Sequence, residues 1–464
     1  MNILFIGDLR KVHNYGAIAT TEALVHILEQ EIPHAEIKII EARSMYQATP
    51  SRGFTDSESA NENPKSLANQ LKRELRSLLP QKIKSCLRVL RKSYNVDFEK
   101  ADFVPYKYSQ FESYYNEMRN GNKFQYEKNL LEWSDAVFIN CEGNIVNGTD
   151  ERGRYRIGAR YLLFMAWCAK IKFNKYTVIA NHTVDPRNVN AFEMISNIYP
   201  YLDHAILRET LSLELLEKHG VKNGEFAPDA LFTYENQTHW HPSKELSRLI
   251  DFNNPYICVG DSSAFQNKYG GLKWPVAQFL SMMIEQLKVV CPQIIFVDGF
   301  NGQHEDVNQV LKNTGIPSVN LTNCDYHELF HILKGALIFI SGRWHASILS
   351  VLANTPILLW GSDSHKTKSL YPLLDYKYRF FELDSMPANL PELINEVKKV
   401  LDESDTIKIL FKEKVEKFSK EAKNNILFMK KDIIKSEGNI NTPPPPKWIE
   451  TSDVQKCTTF KLAA

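Results

Sequence analysis

The run Ile340-Ser341-Gly342-Arg343-Trp344-His345-Ala346-Ser347 carries the densest chemistry in the chain. An apolar stretch leads into it and a helical pattern leads out. That order puts Arg343 and His345 at the carboxyl edge of a parallel sheet, where open α/β folds bind ligands. The free N–H groups and positive dipole end of the following helix attract anions. A guanidinium beside an imidazole can hold a phosphate or carboxylate there and move a proton. Ordinary ion pairing is the competing reading of Arg343.

Other strand ends point to the same edge. Arg208 closes the apolar run His204–Leu207, with a pair to Glu209 or another nearby acid as its alternative. Glu142, in Cys141-Glu142-Gly143-Asn144, suits binding or deprotonating an acceptor hydroxyl unless it only shapes a turn. His182, in Asn181-His182-Thr183, is a second candidate for proton transfer. In the first loop, Gly16 permits an unusual φ and a close backbone approach to a ligand, and Asn14 offers an amide. A plain helix N-terminal turn accounts for these two equally well. Lys366 adds a cation unless it is merely solvated, and Asp229 reads as a fastener of the interdomain loop. Cys-x-x-Cys, His-Glu-x-x-His, Asp-x-Asp and Walker-type patterns do not occur, so catalysis without metal or cofactor is expected.

The elements that position these residues alternate strand and helix. Asn2–Gly7, a helix over 17–30 and Ile37–Ile40 form a βαβ unit, the seed of a parallel sheet. Strands at Ala136–Asn140, Thr177–Ala180 and His204–Leu207 continue it, with a helix over about 155–171. Residues 1–240 thus read as a Rossmann-like domain, interrupted at about 44–130 by a polar, proline-containing insertion. After a linker near Pro242 the alternation restarts at Tyr256–Gly260 and runs through Val276–Val290, Ile294–Asp298, Ala336–Ser341, His345–Ala353 and Pro356–Trp360. Residues 250–395 are a second Rossmann-like domain. The expected architecture is a GT-B-type α/β pair facing across a cleft. Charged helices over 396–436 should pack back across the first domain, and 437–464, with Pro443–Pro446, reads as a mobile tail.

A length of 464 residues suits two domains, and 43% hydrophobic residues can fill two cores. The net charge of +1 speaks against nucleic acid as a partner. Between Lys65 and Lys92, however, nine Lys or Arg stand against a single acid, on an amphipathic pattern. This segment suits peripheral contact with an anionic membrane surface, or a helical cap with a solvated basic face. Seven cysteines without paired spacing (Cys86, Cys141, Cys168, Cys258, Cys291, Cys324, Cys457) read as reduced thiols. The N-terminus reads as a strand rather than a signal peptide, and no apolar stretch is long enough for a span. A cytoplasmic protein, peripheral at the inner membrane face if the basic segment binds there, is expected.

Five motifs in order resemble the polysaccharide pyruvyl transferase family. They are Asn14-Tyr15-Gly16-Ala17, Arg208-Glu209 with Ser212, Pro228-Asp229-Ala230, His304-Glu305-Asp306, and Ser341-Gly342-Arg343-Trp344-His345 followed by Thr355-Pro356-Ile357 and Lys366. The resemblance covers about 1–46 and 135–371. It implies transfer of a pyruvyl group from phosphoenolpyruvate to a hydroxyl pair on a sugar of a polysaccharide or its lipid-linked precursor. It further implies an acceptor side in 1–240 and a donor side in 250–395, that Arg208, Arg343 and His345 line the donor pocket, with Trp344 and Lys366 beside them, and that His345 is the general acid/base. His182 departs from the small residues commoner in the family at that point, which leaves room for an acceptor different from theirs. A nucleotide-sugar glycosyltransferase of the same architecture and a non-catalytic glycan-binding relative are the alternatives.

Overall fold

The computed structural model describes residues 1–10, 14–41, 104–146, 157–185, 189–235, 240–266, 272, 274–299, 305–320 and 325–438. The basic segment 65–92, His304 and the 439–464 tail lie outside them.

The first domain begins with β1 (Asn2–Asp8), α1 (Tyr15–Glu31) and β2 (Glu36–Glu41). It continues through α2 (Phe111–Arg119), α3 (Gln125–Trp133), β3 (Ala136–Asn140), α4 (Ile157–Trp167) and β4 (Tyr176–His182). It closes with α5 (Val189–Ile198), β5 (His204–Leu207), α6 (Thr210–Lys218) and β6 (Gly224–Phe226). Its six strands are parallel, in the order β2-β1-β3-β4-β5-β6. Helices cover both faces, so central strands read as near-continuous apolar runs: Ile3, Leu4, Phe5 and Ile6 are all fully buried.

After a short helix α7 (Leu246–Leu249), the second domain contains β7 (Tyr256–Ser262), α8 (Val276–Val290), β8 (Gln293–Asp298), α9 (Glu305–Thr314) and β9 (Ser318–Asn320). Then follow α10 (Tyr326–Gly335), β10 (Phe339–Gly342), α11 (Trp344–Leu352), β11 (Ile357–Leu359) and α12 (Lys366–Leu373). Its parallel order is β11-β10-β7-β8-β9. Both sheets therefore have a switch point, between β1 and β3 in one and between β7 and β10 in the other. The crevice above a switch point is where chain ends splay and leave room for a ligand.

Three helices close the described chain. α13 (Leu390–Asp402) packs on α8 and β11 and belongs to the second domain, in contrast to the expectation that all the C-terminal helices return to the first. α14 (Ser404–Glu421) bridges, with Phe418 edge-on to Phe232 at 5.1 Å. α15 (Asn424–Gly438) rests on α1, β4 and β5, burying Ile426 and Met429 against the first sheet.

The polar insertion expected over 44–130 ends earlier than its composition suggested. Its last part, from 104, is core: Val104, Phe111, Met118 and Leu131 are buried in one cluster with α4. Phe111 meets Phe164 at 5.3 Å and Trp167 at 5.4 Å, and only one stripe of each short helix is apolar. Phe111→Ala should therefore destabilise the first domain by about 3–5 kcal/mol. Urea denaturation followed by tryptophan fluorescence measures this; a loss below about 1 kcal/mol, as at surface positions, would put the segment outside the core.

Candidate active site

The two switch points face each other, and the loops above them supply the site. After β3 the chain turns sharply at Glu142, whose φ of +44° is rare for a residue with a Cβ. The Glu142 carbonyl accepts from Thr183 N at 3.2 Å, which fixes that turn against the end of β4. Arg208, one residue past β5, is 1% exposed. Its Nη1 donates to Glu142 Oε1 at 3.0 Å and to Asp229 Oδ2 at 3.1 Å, and its Nε donates to Thr183 Oγ1 at 3.0 Å.

From the second domain, α11 brings His345 Nε2 to 3.3 Å from both Arg208 Nη1 and Glu142 Oε1. Trp344 Nε1 donates to Asp229 Oδ2 at 2.9 Å, and its ring lies 5.4 Å from the Arg208 guanidinium. Asp229 also accepts from Thr20 and from the Leu231 N–H. One carboxylate thus ties β5, α1 and α11 together.

Gly16 makes room for this closure. A Cβ there would lie 2.2 Å from His345 Nδ1. Its backbone is helical, so the useful property is the missing side chain and not the unusual φ that the sequence suggested. Asn14 spends its side-chain oxygen on capping α1, accepting from Gly16 N at 3.1 Å and Ala17 N at 3.3 Å.

Arg343 sits apart from Arg208, above the second switch point. Its Nε donates to the buried Asp261 carboxylate at the end of β7, which also accepts from Gly299 N at 2.8 Å. A Cβ on Gly299 would meet the Arg343 guanidinium at 2.8 Å. Lys366 Nζ donates to Asp363 Oδ1 at 2.8 Å, and Asp363 also accepts from Ser263 at 2.8 Å. Arg343 and Lys366 keep 21% and 15% of their side chains exposed, against 1% for Arg208.

Charges in this corner are strongly coupled. Burial alone would raise the Glu142 carboxyl, but Arg208, His345 and Lys366 outweigh it and hold it at about 2. Burial pushes His345 below its ordinary value against the pull of Glu142 and Asp229. A guanidinium can only donate, so in its approach to Nε2 that ring nitrogen is the acceptor.

Three sequence expectations need correction. His182 is fully buried, with Nε2 2.7 Å from the Tyr199 hydroxyl, and burial drives it down to about 3, so it is a core residue and not a group on the cleft surface. Trp344 is 3% exposed and locks the domains together instead of lining an open pocket. Glu142, so low in pKa and bound to Arg208, is a weak base; it suits stabilising a charged His345. The sequence reading missed Asp261 and Asp363. Both end or follow apolar strands in Gly-Asp-Ser and Ser-Asp-Ser runs, a signal as legible as the one at Glu142.

Two parallel sheets with opposed switch points and an ionic site between them define a GT-B-type protein. The chain belongs to the polysaccharide pyruvyl transferase family, whose model (Polysaccharide pyruvyl transferase) matches residues 14–364. The amylovoran biosynthesis protein AmsJ of Erwinia amylovora is 22% identical over 257 residues, covering 51% of this chain and only 57% of that protein. A putative UDP-N-acetylglucosamine 2-epimerase from Listeria monocytogenes superposes with a TM-score of 0.52 at 12% identity, covering 97% of this chain and 99% of that one. A glycosyltransferase from Rickettsia africae gives 0.50 at 11% identity, covering 95% and 99%. At such identities the likeness is one of fold.

Replacing Arg208 by Met would strand two carboxylates and should cost about 3–5 kcal/mol near neutrality. The depressed Glu142 contributes stability above its unfolded value, lost as pH falls through about 2. In Arg208→Met that carboxyl titrates higher, so the deficit should shrink between pH about 8 and about 5. Denaturant midpoints at the two pH values test this; an equal deficit at both would mean the carboxylates do not feel the guanidinium.

Proposed function

We propose that this protein transfers the pyruvyl group of phosphoenolpyruvate to two hydroxyls of one sugar in a surface polysaccharide or its lipid-linked precursor. The observation that carries the reading is the 3.3 Å approach of Arg208 and His345 from opposite domains, rimmed by the cations Arg343 and Lys366. Membership of the family supports the reaction class. A relative named for amylovoran biosynthesis supports polysaccharide as the destination.

In this reading Arg343 and Lys366 meet the donor's phosphate and carboxylate, because their side chains are partly open to the cleft. Arg208 does not reach the donor first; it fixes the ring of His345 and the carboxylate of Glu142. His345, charged on substrate binding and steadied by Glu142 and Asp229, gives a proton to the donor methylene carbon. C2 then becomes electrophilic, and the first sugar oxygen bonds to it and loses its proton. The C2–O bond to phosphate breaks, the second hydroxyl oxygen bonds to C2, and inorganic phosphate leaves with a pyruvate ketal formed. His345 takes up the proton of the first hydroxyl, passes it to the leaving phosphate oxygen and takes up that of the second, so it ends charged as it began. Neither metal nor cofactor is invoked. Contact of the basic segment 65–92 with an anionic bilayer would bring a lipid-linked acceptor to this cleft; among the described residues no helix is long and apolar enough to cross a membrane.

Phosphoenolpyruvate should raise the melting temperature of the wild type and of His345→Ala, and should not stabilise Arg343→Ala. Phosphate release in His345→Ala should fall about 10²–10⁴-fold with donor binding retained. Stabilisation by a nucleotide sugar alone would overturn the proposal.

A further inference from the structure

A second imidazole crosses the domain boundary beside the first. His365 precedes α12 in the loop after β11, and its Nε2 lies 3.2 Å from Ser212 Oγ and 3.3 Å from Glu209 Oε1 of the first domain. Its Nδ1 is 3.7 Å from Asp185 Oδ2. Glu209 is fully buried and held in place: it caps α6 by accepting from Ser212 N at 2.9 Å and bonds the Ser212 hydroxyl. Ser212 Oγ accepts in turn from Val184 N at 2.8 Å. Two consecutive residues at the end of β5 therefore each reach one imidazole of the other domain, Arg208 to His345 and Glu209 to His365. The residue after His365 is Lys366, whose charge is felt at both Glu142 and His345.

We propose that His365 is a positioning residue: its imidazolium, held between Glu209 and Asp185, clamps the start of α12 to the first domain and so sets Lys366 at the reacting centre. The charged groups facing it from the packed elements are Glu209 and Asp185 across the boundary and Lys366 on its own helix. Burial works against the charged ring and Lys366 repels it. The hydrogen bond and charge of Glu209, with Asp185, more than offset both and raise its pKa. A group raised in the clamped state stabilises that state fully below its free value, and the stabilisation is lost as pH rises through the raised one. The clamp is thus closed on the acid side and released on the alkaline side.

Backbone hydrogen exchange over 210–218 and 366–373, corrected for intrinsic rates, tests the clamp in the full-length protein without substrate. In the wild type both segments should lose protection together as pH rises from about 6 to about 9. His365→Gln should exchange faster and without that pH step, and His365→Lys, with a charge fixed over this range, should stay protected throughout. The KM for phosphoenolpyruvate should rise about tenfold in His365→Gln, matching the loss of one charged hydrogen bond, with kcat less affected. A pH step that persists in His365→Gln, or one absent from the wild type, overturns the clamp. The KM arm alone rests on the proposed reaction: an intact exchange pattern with no response to phosphoenolpyruvate upholds the clamp and sinks that reaction.

Discussion

A guanidinium that is 1% exposed has lost nearly all of its water, and a charge so placed persists only where carboxylates stand in for the hydration. Arg208 meets that demand with Glu142 and Asp229, and the geometry of the cleft follows from it. Glu142 must turn back through a left-handed conformation to reach the guanidinium. Asp229 must sit where it can serve Arg208, Thr20 and Trp344 at once. Because Trp344 and His345 open α11 of the other domain, neutralising one buried cation also sets the distance between the two sheets.

This arrangement divides labour between the arginines. Arg208, compensated and enclosed, is a fixed piece of scaffold whose charge holds the Glu142 carboxyl low, while burial more than any neighbouring charge lowers the His345 imidazole. Arg343 and Lys366 are each paired with an aspartate yet keep part of their side chains exposed. A small dianion can exchange contacts with such residues, whereas pulling Arg208 away from its partners would strand two carboxylates in a medium that cannot solvate them. Exposure of 1% against about a fifth is the clearest physical contrast between the two arginines.

The twin-sheet scaffold is shared with epimerases and glycosyltransferases, so the fold leaves the chemistry open. On this chain the switch-point loops carry an arginine and a histidine two apart on one side, and an arginine and a glutamate adjacent on the other. Arg208 meets His345 across the boundary and Glu209 meets His365, while Arg343 pairs with Asp261 of its own domain.

Much of this was legible in the residues alone. Apolar runs of strand length, amphipathic stretches of helix length and the turns between them define two parallel sheets, because burial on both faces leaves no other use for Ile3–Ile6 or Ile294–Val297. Polar and ionisable residues just past those runs, Glu142, Arg208, Arg343 and His345, had to fall at the carboxyl edges. Local pattern could not tell that Phe111 and Met118 are core, since short helices show only one apolar stripe and their partners in α4 lie some 50 residues away in the chain. Nor could it separate His182 from His345: both follow apolar strands, but one side chain turns into the core towards Tyr199 and the other out across the cleft. The roles of Gly16 and His365 exist only once the second domain arrives, because a missing Cβ and an imidazole acquire meaning from what approaches them. Sequence set which groups reach the cleft; three-dimensional packing decided which of them are compensated, which stay open, and which face each other, because those are properties of contacts between residues distant in the chain.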